Sequence, residues 1–136
     1  MAIVEQLIRS DSSDTLSFGN YELGEKAKVE DFRFNEASYK VKTFSGITKL
    51  EKDGMFVYES VPGTGVNGFV FKEDGVEFTV SGKEDAQVTV GLLADTTYTV
   101  FVNGEQIGDM STNMSGKLSI SVELGEGMEV PVKITK

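Results

Sequence analysis

The sequence predicts an all-β fold of antiparallel strands, and two observations carry that expectation. Short runs rich in β-branched and aromatic residues alternate apolar with polar: Leu118, Ile120, Val122 and Leu124 are interleaved with Lys117, Ser119, Ser121 and Glu123. Turn dipeptides punctuate such runs, namely Asp53-Gly54, Asp74-Gly75 and Asn103-Gly104, which tolerate the positive φ of tight hairpins.

Taken in order, the first ten residues are ambiguous, because Ile3, Val4, Leu7 and Ile8 would share a helical face. The loop-like Ser10-Asp11-Ser12-Ser13-Asp14, leading into Thr15-Leu16-Ser17-Phe18, favours a strand instead. Further strands are expected at 15–18, 29–34, 39–44, 47–50 and 56–59, then from Phe69 to Phe71 and at 76–80, 87–90 and 98–102. The last two expected runs are 117–124 and 130–134. Pro131 sits inside the final run; lacking an N–H, it marks an edge strand or one free of pairing at that amide. Small residues at Pro62-Gly63-Thr64-Gly65 suggest a boundary between an N-terminal antiparallel lobe, 1–67, and a C-terminal set of about seven strands, 68–136.

Composition narrows the function. With 22 acidic against 13 basic residues and a net charge of −9, the surface repels phosphate backbones and anionic lipid, so neither nucleic acid nor membrane is an expected partner. Lys40 with Lys42, and Lys49 with Lys52, read as pairs on solvated faces rather than as a stripe. The absence of Cys and His removes thiolate and imidazole chemistry, and with it the commonest metal ligands and general base. No signal-like segment or ~20-residue apolar span is seen, so the expected placement is cytoplasmic.

Gly63, Gly65 and Gly68 in GTGVNG match the spacing of a dinucleotide-binding turn. That turn works only where a helix N-terminus follows to hold the pyrophosphate, and here the next segment, FVFKEDG, reads as a strand and a turn. No nucleotide cofactor is expected. The carboxylate pairs Glu73-Asp74, Glu84-Asp85 and Glu123 with Glu126 flank turns and read as solvated. Asp109 to Asn113 lacks the acids and glycine of a calcium loop, so no metal site is expected. Ser115-Gly116-Lys117 reads as a hairpin rather than a Ser-Lys pair, and Asn113-Met114-Ser115 as a chance sequon.

Two resemblances add to this reading. Leu92, Thr96 and Tyr98 in LLADTTY resemble the fibronectin type III pattern L-x-P-x-T-x-Y, with Ala94 in the place of the proline. The resemblance implies an immunoglobulin-like β-sandwich in the C-terminal half, with the Tyr98 hydroxyl turned back onto the backbone just upstream. The stretches FGNYEL, YKVKTF, KDGMFVYESVPGT and GKLSISVEL resemble a group of short bacterial proteins labelled endosialidase. Sialidases are multi-bladed propellers, for which six blades would need roughly 240 residues. They clamp the substrate carboxylate with three arginines, whereas this chain has only Arg9 and Arg33, so one subunit cannot supply the clamp. Tyr58 as a nucleophile beside Glu59 would need two neighbours on one strand to face the same way.

Three aromatic pairs fall at i,i+2 and are expected to share a strand face: Phe32 with Phe34, Phe56 with Tyr58, and Phe69 with Phe71. Most such rings belong to a core, and an exposed pair would be the first binding candidate. The residues singled out for glycan or partner contact are Phe56, Tyr58 and Arg33. The expectation is thus a non-enzymatic binding or assembly module, able to self-associate through strand edges, with a carbohydrate-active role as the alternative.

Overall fold

The computed structural model describes residues 3–136. It is all-β, with two antiparallel sheets stacked as a sandwich. The strands are β1 Ile8–Ser10, β2 Thr15–Phe18, β3 Ala27–Phe34, β4 Ala37–Phe44, β5 Ile47–Lys52, β6 Met55–Val61 and β7 Gly65–Lys72. They continue as β8 Gly75–Ser81, β9 Ala86–Gly91, β10 Thr97–Val102, β11 Glu105–Ser111, β12 Lys117–Val122 and β13 Val130–Thr135. One sheet has the order β1-β2-β7-β8-β13-β10-β11, the other β12-β9-β6-β5-β4-β3. No helix among the described residues is long and apolar enough to cross a membrane.

The alternation that predicts these strands also builds the interior. Leu118, Ile120 and Val122 point inward from β12, and Val130, Val132 and Ile134 do the same from β13. They join Leu16, Phe18, Val41 and Leu50 in one continuous core. The expected boundary between 67 and 68 therefore does not divide the molecule. It falls inside β7, and β2 pairs with β7 while β6 pairs with β9, so each sheet draws strands from both sides of it. The physical reason is burial, since Phe18 and Tyr58 from before the boundary pack against Phe69 and Phe78 from beyond it in one core.

Other local expectations shift in instructive ways. The N-terminal strand is confined to Ile8–Ser10, and the first two residues of the segment lie outside the described residues. Strand β11 has no alternating signature in the sequence, being exposed along most of its length and bulged where it pairs with Val100 and Phe101. The turn expected at Asp74-Gly75 is formed by Glu73 and Asp74, and Gly75 already belongs to β8. Its lack of a side chain serves a close approach: a Cβ there would lie 1.7 Å from the Ile134 carbonyl oxygen. Strand β13 is central rather than an edge, between β8 and β10. It accommodates Pro131 because the proline carbonyl accepts the Asn103 N–H at 2.8 Å, and the missing donor falls at the strand's start, beside the Asn103-Gly104 turn. Gly68, the last glycine of GTGVNG, sits at φ 65° where β7 breaks register with β8, so the motif runs from the β6–β7 loop into β7 with no helix after it.

Because every pairing is antiparallel, the connections sort onto two ends. One end carries the turns at 11–14, 35–36, 53–54 and 73–74 with the loops 92–96 and 112–116. The other carries 19–26, 45–46, 62–64, 82–85, 103–104 and 123–129. A buried polar chain runs through the second end. The Asn20 N–H donates to Thr43 Oγ1 (2.9 Å), Thr43 and Thr48 share a hydroxyl contact (2.8 Å), and Thr48 Oγ1 donates to the Thr64 carbonyl (2.8 Å). Each threonine has one O–H, so the proton of Thr43 must point to Thr48.

Candidate functional site

The first end of the sandwich opens into a cleft of about 500 Å³, within the size range of small-ligand sites. Three elements supply its apolar surface. Met55 follows the 53–54 turn and is 73% exposed, Phe71 closes β7 and is 41% exposed, and Leu93 in the β9–β10 loop is 58% exposed.

Phe71 is held there by a relay of rings. Phe18 packs edge-on against Tyr58 and Phe69, Phe69 stacks on Phe78, and Phe71 meets Phe69 with centroids 5.2 Å apart. The core thus ends in an aromatic ring at the surface. Leu93 is placed by a different device. Its backbone N–H donates to the Tyr98 hydroxyl at 3.2 Å, the corner contact that the fibronectin-like segment implies, and Tyr98 itself is buried. Thr112 Oγ1 donates to the Leu93 carbonyl and also accepts the Thr96 N–H, which ties the loop to the end of β11.

Lysines cover the aromatic faces. Lys52 Nζ lies 4.9 Å from the Phe71 centroid and Lys117 Nζ 4.6 Å from that of Phe56, both within cation–π range. Asp53, Glu73 and Asp74 stand on the rim with Lys72. The cleft therefore offers an apolar floor with charges of both signs around it, and no arginine lines it.

The sequence-selected residues are not brought together. Phe56 is half-buried at the margin of the cleft, while Tyr58 is fully buried in the core and Arg33 is exposed on the edge strand β3. The expectation that Phe56 and Tyr58 share a face fails because a bulge intervenes: Leu50 pairs with Tyr58 and Glu51 with Phe56, leaving Val57 as the extra residue. Burial pushes the Tyr58 hydroxyl far above its ordinary pKa, although its hydrogen bonds to Thr64 and Ser60 act the other way. It is a structural hydroxyl. The residues that sequence reasoning passed over are Met55 and Leu93, whose one signal is that each adjoins a turn.

The acidic pairs separate into distinct tasks. Asp85 Oδ1 accepts the Leu124 N–H at 3.0 Å, and Glu126 and Glu129 lie near Tyr21, whose pKa is raised by burial and by these acids together with Glu22. Of these pairs only Glu73-Asp74 reaches the cleft, beside Asp53. Asn113 Oδ1 accepts the N–H groups of Ser115 and Lys117, which makes that segment a turn. Register turns the expected lysine pairs into a short row, since Lys28 stands opposite Lys42 and Lys42 opposite Lys49 on neighbouring strands. Glu30 pairs with Lys28 at 3.0 Å, which holds its carboxyl below the usual range, and Glu51 pairs with Lys49 at 3.8 Å. Among the described residues no three acidic, His or Cys side chains are grouped so as to hold a metal.

The chain matches no protein family, no curated protein and no solved structure.

Proposed function

We propose that the protein is a non-enzymatic binding or assembly module whose ligand sits in the cleft formed by Met55, Phe71 and Leu93. The observation that carries the reading is the exposure of these three side chains, from three separate elements, in one concave site. Side chains of this kind fit an apolar anchor of a protein segment: methionine adapts to irregular partners, and the mixed charges of the rim match a polypeptide's own.

A carbohydrate-active role, as the endosialidase label suggests, is the second reading, and Phe56 and Phe71 favour it as rings within the same cleft. A sugar stacking on them would have to displace Lys117 and Lys52. The two arginines lie on β1 and β3, outside the cleft lining, so a carboxylate clamp there would need arginines from elsewhere.

The test is a parallel screen of the full chain on peptide and glycan arrays, repeated with Phe71→Ser and Leu93→Ser. Peptide signals lost in both variants support the reading. Glycan signals lost in both transfer the site to the carbohydrate reading. Signals indifferent to both substitutions, or no signal from the unaltered chain, would sink the cleft as the binding site.

A further inference from the structure

The sandwich has four edge strands, and three are protected against pairing with another chain. β1 has only three residues. β3 is bulged between Val29 and Phe32, with Asp31 at φ 58°, and carries Lys28, Glu30, Asp31 and Arg33. β11 is bulged opposite Val100 and Phe101, with Gly108 at φ 136°. Short length, bulges and charges are the usual means of blunting an edge. β12 is the least protected: it runs for six residues in unbroken register with β9, its one charged residue is Lys117 at the start, and its middle reads Ser119-Ile120-Ser121.

The hydrogen-bond phase of β12 is fixed at its start. The Leu92 N–H donates to the Gly116 carbonyl at 2.7 Å, one step beyond the Lys117–Gly91 pair. Antiparallel ladders alternate, so Leu118, Ile120 and Val122 turn their backbone groups toward β9 while Ser119 and Ser121 turn theirs to the open side. Lys117 also faces that side, but Asn113 occupies it: Asn113 Oδ1 accepts the Lys117 N–H at 3.0 Å, and the Asn113 N–H donates to the Lys117 carbonyl at 3.1 Å. The open donors and acceptors are therefore those of Ser119 and Ser121.

We infer that β12 pairs with β12 of a second copy, antiparallel about a two-fold axis at Ile120. In that register Ser119 faces the partner's Ser121 and Ser121 the partner's Ser119, so the open backbone groups of each copy meet their complements, about four hydrogen bonds in all. Leu118 falls opposite the partner's Val122, where the ladder ends because Asn113 fills the backbone position beside Lys117. The side chain of Lys117 reaches that of the partner's Glu123, which lies just past the end of β12. Lys117 and Glu123 are both exposed on the solvent face, so the arrangement forms two symmetry-related ion pairs. A shift of one residue would oppose backbone groups already bonded to β9. Beside this edge, Ile107 (50% exposed) and Met128 (43% exposed) border a gap of about 290 Å³ that also reaches Ser121 and Glu123. A second copy on β12 closes the open side of that gap. The contact gives the assembly part of the proposed function a specific surface, and it stands on backbone phase and charge order rather than on the cleft.

The test is sedimentation velocity of the full chain at several concentrations, with Lys117→Glu, Glu123→Lys and the double exchange. The unaltered chain is expected to sediment as a dimer. Each single substitution converts both ion pairs into like-charged pairs and weakens the dimer by about tenfold. The double exchange restores it, which no other register predicts. Ser119→Pro, which removes an N–H that β9 does not use, should give a folded monomer by circular dichroism and sedimentation. A chain monomeric at every concentration, or a dimer that ignores the single substitutions or is not rescued by the exchange, overturns the inference. Array signals that depend on Phe71 and Leu93 are read separately, so cleft and edge can fail independently.

Discussion

The hydroxyl of Tyr58 lies 2.8 Å from Oγ1 of Thr64, and both side chains are fully buried. Ser60 Oγ approaches the same Thr64 oxygen at 2.7 Å, so three hydroxyls share one junction. Removing different members should cost different amounts. Tyr58→Phe leaves Thr64 bonded to Ser60 and is expected to cost about 1 kcal/mol, whereas Thr64→Val removes the partner that Tyr58 and Ser60 share and is expected to cost about 2–3 kcal/mol. Urea denaturation checks the order. Equal losses would mean that the junction does not act as a shared node.

The same tyrosine predicts an alkaline limit. Its folded pKa is raised above the unfolded value near 10, so the folded state keeps a proton that the unfolded state releases. Its contribution is fully present below about pH 10 and fades as pH climbs toward the raised value, by up to about 1.4 kcal/mol per unit. Tyr39 and Tyr21 shift in the same direction. Denaturation between neutral pH and pH ~11 should therefore show falling stability, with a shallower fall in Tyr58→Phe. An identical slope in the variant would remove Tyr58 from this account.

Tyr98 holds Leu93 through a single backbone N–H. Tyr98→Phe is expected to cost about 1–2 kcal/mol and to speed hydrogen exchange at the Leu93 amide. Unchanged exchange there would show that the corner contact does not fix the loop.

Gly75 faces the Ile134 carbonyl so closely that any side chain must separate β8 from β13. Gly75→Ala is expected to cost about 3 kcal/mol or to prevent folding. Gly24→Ala, at an exposed position with nothing within 4 Å of an added Cβ, is expected to stay within about 0.5 kcal/mol of the unaltered chain. Thermal melts of the pair give the comparison.

What was legible in the sequence was mostly period two. β12 and β13 announce themselves by alternation, and Tyr98 by its spacing from Leu92 and Thr96. Bulges erased the rest. One extra residue at Val57 put Phe56 and Tyr58 on different faces, and the exposed, bulged β11 left no pattern to read. The union of the two halves was invisible for another reason: pairings such as β2 with β7 and β6 with β9 join residues far apart in sequence, and local periodicity carries no information about partners. The cleft was hidden likewise, because Met55, Phe71 and Leu93 become neighbours only when three turns meet at one end.

The placement of the hydroxyl chain from Thr43 to Thr64 opposite the cleft divides the molecule's tolerance for change. Substitution around 62–64 disturbs groups that no solvent can satisfy, so that end is held constant by folding itself. The turns at 53–54 and 73–74 and the exposed part of the 92–96 loop carry no such debt. Descendants of this chain could therefore exchange one ligand for another by rewriting a few turn residues while every strand stays in place.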